Sequence, residues 1–140
     1  MDMEQAMASQ KILIVEDNPV NMELATDLLE VAGYVVCQAT DAETGIEMAR
    51  IKLPDLILMD VSLPGMDGLT AISVLREDAA TRNIPVMVLT AHAMKIDRER
   101  AMAAGCIGFV TKPIDTRTFA TTVAGFMKSG CDCESGEQAG

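Results

Sequence analysis

Five short apolar runs punctuate the chain. Each ends in polar or turn residues and gives way to a stretch whose apolar positions recur every three or four residues. The first, Lys11–Val15, is β-branched and aliphatic and reads as a strand. It ends in Glu16-Asp17, and Asn18-Pro19 then opens a helix, with proline at an early position where its missing N–H costs nothing. Val20, Leu24, Leu28 and Val31 recur at helical spacing as the expected inward face, and Gly33 stops that helix. A second strand follows over Val35–Ala39. Asp41 caps a helix to about Arg50 with Ile46 and Ala49 inward, and Pro54 lies just beyond its end.

The third strand, residues 56–59, runs straight into Asp60, and the turn chemistry of residues 61–68 follows it. A continuous apolar run bounded by turn signals predicts a strand buried on both faces. The spacing then predicts a helix over 69–76 with Leu69, Ile72 and Leu75 on one face, and a fourth buried strand over 85–89 ending in Thr90. A weakly amphipathic helix over 94–104, stopped by Gly105, precedes a fifth strand over 107–110 and the sequence Thr111-Lys112-Pro113. A last helix over 116–127 carries Phe119, Val123 and Phe126. Strand and helix thus alternate five times, the pattern of a parallel sheet with right-handed crossovers and helices on both faces. Residues 1–9 read as a flexible lead, 10–128 as one domain and the Gly-rich 129–140 as a disordered tail.

Composition narrows the possible roles. Hydrophobic residues make up 49% of the 140 positions, enough for one filled core, but aromatics supply only 3%. Aliphatics and eleven methionines must therefore fill the interior. A net charge of −10 argues against direct contact with nucleic acid or an anionic membrane. The acidic start has no signal-peptide core and no run approaches membrane-spanning length, so a cytoplasmic protein is expected. Four scattered cysteines form no disulfide framework. The Cys131-x-Cys133 pair has no histidine or further cysteine near it to complete a metal site.

Parallel strands bring their C-terminal ends to one edge, where open α/β sheets bind ligands. Glu16, Asp17, Asp60, Thr90 and Lys112 end four of the five strands, so three carboxylates, a hydroxyl and an ammonium would share one pocket. Taken singly, each has an ordinary structural reading: a capping acid, a β-branched strand residue, a solvated loop lysine. Together they suit a Mg²⁺ ion held by carboxylates and a phosphoryl group. Asp60 would then be the attacking nucleophile, and Lys112 and Thr90 would contact phosphoryl oxygens.

The segments 14–19 (Ile-Val-Glu-Asp-Asn-Pro), 55–68 (Asp-Leu-Ile-Leu-Met-Asp-Val-Ser-Leu-Pro-Gly-Met-Asp-Gly), 88–93 (Val-Leu-Thr-Ala-His-Ala) and 109–113 (Phe-Val-Thr-Lys-Pro) resemble, in order, the receiver domain of two-component response regulators. The resemblance implies a flavodoxin-like (βα)5 three-layer sandwich whose five-stranded parallel sheet has the order 2-1-3-4-5, an order the general rule for these folds also gives for a chemotaxis receiver. It implies Asp60 as phosphoacceptor, and Mg²⁺ (or Mn²⁺) held by Glu16, Asp17, Asp60 and the backbone carbonyl of Ser62. Thr90 and Phe109 would be the switch pair, Lys112 the phosphate-binding lysine, and Pro113 the second residue of a cis peptide. Ser62 and His92 would flank the path of the hydrolytic water and tune how long the phosphate lasts. Phe109 stands where tyrosine is often found, and Glu16 where aspartate is commoner.

The implied partners are a sensor histidine kinase or histidine phosphotransfer protein, docking near Asn18, Asn21 and the Pro113 loop. A downstream protein would bind the face formed by the fourth helix, fifth strand and last helix, on a monomer or weak dimer. No output domain is expected. Glu16-Asp17-Asn18-Pro19-Val20-Asn21 and Thr90-Ala91-His92-Ala93-Met94-Lys95 are similar to single-domain cell-cycle regulators of the DivK type, the expected class, and also to receivers attached to hybrid histidine kinases. A non-phosphorylated interaction module would be expected to lack an acid, the acceptor or the lysine. An aspartyl-phosphate phosphatase would carry a second Asp where Ser62 stands, and a nucleotide- or flavin-binding domain would want a Gly-rich loop where Glu16-Asp17 stands. The expected role is signalling, not enzymatic turnover.

Overall fold

A computed structural model describes residues 10–61, 66, 68–90, 99–100, 102–103, 105–111 and 116–131. It contains β1 (Lys11–Val15), α1 (Pro19–Val31), β2 (Val35–Ala39), α2 (Ala42–Lys52), β3 (Leu56–Asp60), α3 (Gly68–Glu77), β4 (Val86–Thr90), β5 (Gly108–Thr111) and α4 (Phe119–Cys131). All strand pairs are parallel and the sheet order is β2-β1-β3-β4-β5. Chain order reverses direction between β1 and β3, and the crevice this opens lies beyond their C-terminal ends.

The sheet divides the interior in two because successive strand side chains point to opposite faces. Leu13, Val15, Ile57, Met59, Val86 and Val88 meet α2 and α3 through Ile46, Ala49, Ala71, Ile72 and Leu75. Ile12, Ile14, Leu56, Leu58, Met87 and Leu89 meet α1 and α4 through Met22, Ala25, Leu29, Phe119 and Val123. Every residue of β3 and β4 is buried, as strands covered on both faces require. β2 is an edge strand, and Val35 and Gln38 in it are exposed.

The helix signals work locally as their chemistry demands. The Asn18 side chain accepts hydrogen bonds from the Val20 and Asn21 amides at 2.9 and 3.1 Å, with Pro19 opening α1. Asp41 accepts from Thr44 N–H at 2.7 Å to cap α2. At the end of α1, Gly33 has φ of +104°, and Tyr34 N–H reaches back to Leu29 O at 3.0 Å.

The inward face of α1 differs from the expected one. Met22, Ala25 and Leu29 are buried, Leu24 and Leu28 are half-buried, and Val20 and Val31 are 70% and 88% exposed. At about 100° per residue, Val20 and Val31 lie about 150–170° around the helix from the buried stripe. α3 starts one residue before the predicted helix and ends one after, while α4 starts three later and ends at Cys131. Of the helix predicted over 94–104, the four described residues 99–100 and 102–103 are helical. The lead 1–9, the rest of that helix, Ser62, His92, Lys112, Pro113 and the chain beyond Cys131 lie outside the described residues. Among the described residues, no helix is long and apolar enough to cross a membrane.

Candidate functional site

Four polar or charged residues are buried among those described: Glu16, Asp60, Thr81 and Thr90. Three of them stand at the C-terminal edge of the sheet. The fourth, Thr81, donates its hydroxyl to Leu75 O at 2.7 Å and belongs to the turn after α3. Burying a polar group is costly unless the fold satisfies it, so such residues mark structural bonds or chemistry.

Glu16 is one residue past β1 but still tied to the sheet, since its N–H donates to Ala39 O at 3.0 Å. Its side chain, 1% exposed, accepts from the Asn18 N–H at 3.0 Å. The turn that caps α1 therefore also aims this carboxylate. Asp17 follows and is exposed. Asp60 ends β3 at 1% exposure, in register with Leu89 of β4. One oxygen from each of Glu16, Asp17 and Asp60 lies within 4.8 Å of the other two. The crevice between β1 and β3 thus gathers all three acids predicted for the site.

These donors fit a hard divalent cation. Mg²⁺ binds oxygen at about 2.0–2.1 Å, so opposite ligands stand at most about 4.2 Å apart, and it keeps waters where carboxylates do not reach. The 4.8 Å within which the cluster's oxygens lie exceeds that span by about 0.6 Å. Full charges on Glu16 and Asp60 would repel by about 3.5 kcal/mol at 4.8 Å with an effective dielectric of 20, a cost that a cation between them reverses.

Thr90 ends β4, buried, on the sheet face that carries Val86 and Val88. Phe109 is half-buried against the same core and in register with Val88, so Thr90 and Phe109 are diagonal neighbours on one face. β5 ends at Thr111, level with Thr90. Sequence reasoning placed Gly68 among turn residues. It is the buried first residue of α3 and lies against the Asp60 backbone. The available signal was a glycine at the boundary between a turn and a helix, where any residue but proline would be a better helix former.

The fold is a parallel, doubly wound α/β domain with three carboxylates gathered at its topological switch point, where such sheets bind ligands. Residues 12–124 match the response regulator receiver domain, and the chain belongs to that family, whose setting is two-component signalling. Among curated relatives, the polar-differentiation response regulator DivK of Brucella ovis is 40% identical over 119 residues, covering 85% of this chain and 97% of its own. Among solved structures, the receiver domain of sensor histidine kinase PA1611 from Pseudomonas aeruginosa, with a magnesium ion coordinated in its active site cleft, is 34% identical. It has a TM-score of 0.79 and covers 87% of this chain and all of its own. Chemotaxis protein CheY4 of Vibrio cholerae is 26% identical with a TM-score of 0.80, over 84% of this chain and 98% of its own.

Proposed function

We propose that Asp60 accepts a phosphoryl group from a phosphohistidine of a partner protein, and that this switches a protein-binding face of the domain. The observation that carries the reading is the near-complete burial of Asp60 at the end of β3 with carboxylate oxygens of Glu16 and Asp17 within 4.8 Å. An Asp60 oxygen attacks phosphorus, the P–N bond breaks, and the imidazole leaves with the bond's electron pair and is neutralised by a proton. Glu16, Asp17, Asp60 and the Ser62 carbonyl would hold Mg²⁺ or Mn²⁺, which when bound offsets the charge of the incoming phosphoryl oxygens. The magnesium in the PA1611 receiver supports that assignment.

Ser62, His92, Lys112 and Pro113 enter on sequence alone: the resemblance assigns Lys112 to a phosphoryl oxygen, Ser62 and His92 to tuning its lifetime, and Pro113 to a cis peptide after Lys112. Thr90 moves toward the phosphoryl group and Phe109 follows inward. Their shared face on β4 and β5 supports this pairing. The donor is a sensor histidine kinase or a histidine phosphotransfer protein, in the cytoplasm. The downstream target binds the face made by segment 94–104, β5 and α4. The 40% identity to the DivK relative supports a regulator of that type, and the 34% identity to the PA1611 receiver supports the alternative of a receiver carried on a hybrid histidine kinase.

Intact mass after incubation with acetyl phosphate and Mg²⁺ tests the reading. One phosphoryl mass, lost with EDTA and missing in Asp60→Asn, is expected. An adduct that persists in Asp60→Asn would refute the assignment of the acceptor.

A further inference from the structure

We infer that Gly68 is a positioning residue for the acidic site: the absence of a side chain there lets α3 seat against the Asp60 peptide and fixes where the Asp60 carboxylate stands relative to Glu16 and Asp17. A Cβ built on Gly68 would lie 2.5 Å from the Asp60 carbonyl oxygen, 2.8 Å from Val61 Cα and 3.0 Å from the Asp60 carbonyl carbon. All three are backbone atoms, so no rotamer change relieves the contact. Reaching even the 3.0 Å below which real Cβ atoms essentially never approach needs a 0.5 Å displacement of one partner.

Neither partner is free to give that distance without cost. Ala71, Ile72 and Leu75 hold α3 in the core at 0–1% exposure. On the other side, Asp60 is paired with Leu89, and the Val61 N–H donates to Leu89 O at 3.2 Å. Val61 lies one residue past the end of β3, whereas α3 is held by three fully buried side chains, so the Asp60–Val61 peptide is the part that yields. A shift of 0.5 Å equals the whole tolerance within which a binding constellation stays productive. The Asp60 carboxylate would leave the span that one ion can bridge, while the strands and helices stay in place.

The inference rests on the reading of Glu16, Asp17 and Asp60 as a metal site, and its test separates the two. Mn²⁺ binding is titrated by electron paramagnetic resonance on the unphosphorylated full chain, well below its melting temperature, for wild type, Gly68→Ala and Ile12→Val. Ile12 is buried at the start of β1, away from the site edge, so Ile12→Val controls for a general loss of stability. The expected result is about 10–100-fold weaker Mn²⁺ binding in Gly68→Ala, the range typical of residues that orient metal ligands, with wild-type affinity in Ile12→Val. Wild-type affinity in a folded Gly68→Ala, or an equal loss in Ile12→Val, overturns the positioning role. A wild type that binds no Mn²⁺ refutes the metal reading itself. Should Gly68→Ala not fold, the amide resonances of Gly68 and Asp60 in the wild type decide the matter. Both should shift with one Mg²⁺ midpoint, and a Gly68 resonance indifferent to metal overturns the inference.

Discussion

Magnesium should stabilise this domain, and Asp17 is the residue through which that can be tested with least disturbance. It is the exposed member of the triad, whereas Glu16 and Asp60 are each 1% exposed. Without metal, Asp17→Asn removes one of three carboxylates that lie within 4.8 Å of one another, so stability should stay level or rise as that repulsion is relieved. A ligand that binds only the folded state adds RT ln(1 + [L]/Kd), about 2.7 kcal/mol at a hundredfold excess over Kd. For a domain of this size each kcal/mol moves the melting temperature by about 3–5 °C, so the wild type should gain about 8–13 °C. Losing a carboxylate ligand should weaken the metal by at least about 10–100-fold, leaving the variant about 0.4–1.4 kcal/mol at the same Mg²⁺. The assay is differential scanning calorimetry with and without MgCl₂. Because any salt screens a net charge of −10, the metal-free arm holds NaCl at matched ionic strength. Metal-free melting of the variant at or above that of the wild type, with a much smaller gain on adding Mg²⁺, is the expected signature. An Asp17→Asn shift as large as the wild type's, or no Mg²⁺ shift beyond the NaCl control, would refute the reasoning.

Three further outcomes follow from local geometry. Gly125→Ala should raise the unfolding free energy in urea by about 0.5–1 kcal/mol because nothing lies within 4 Å of its Cβ position, while Gly45→Ala should lower it because its Cβ would sit 2.7 Å from Val15 Cγ2. The unfolded-state term is the same for both, so the opposite signs report the folded contacts alone. Thr81→Val should cost about 1 kcal/mol in urea unfolding by deleting the hydroxyl bond to Leu75 O, and Thr81→Ser should retain most of it. On acidification, the Asp41 carboxyl is held below the usual carboxylate value by the Thr44 amide, and the Asp78 carboxyl by the Ala80 amide and then Arg50. Both acids have depressed folded values, so their stabilisation is present above about pH 4 and is lost as pH falls through those values. Asp41→Asn/Asp78→Asn should therefore show a shallower acid unfolding limb by circular dichroism, and an unchanged limb would count against these bonds.

The strands were legible because burial on both faces leaves little choice of residue: 56–59 and 85–89 are aliphatic throughout, and the structure gives β3 and β4 within one residue of those spans. The acids were legible for a topological reason, since any residue just after a parallel strand must land on one edge. α1 was read on the wrong stripe because its sequence offers two. Val20, Leu24, Leu28 and Val31 are the conspicuous aliphatics, yet the seat on the sheet belongs to Met22, Ala25 and Leu29, where alanine lets the helix approach closely. Helical periodicity reports that a face exists but not which of two faces the neighbours will cover. Thr81 was invisible, and Gly68 showed only as a glycine between a turn and a helix, for a different reason. Each acts through a backbone group, Leu75 O or the Asp60 peptide, that no residue pattern advertises.

The parallel arrangement of the sheet also decides where a laboratory can attach things. The chain enters β1 at Lys11, at the opposite end of a five-residue strand from the Glu16 edge, which is about 16 Å away. A fluorophore, affinity handle or surface tether joined before Gln10 would thus leave from the pole remote from Asp60. Immobilised through that end, the domain would present its acidic crevice outward to whatever is flowed across it.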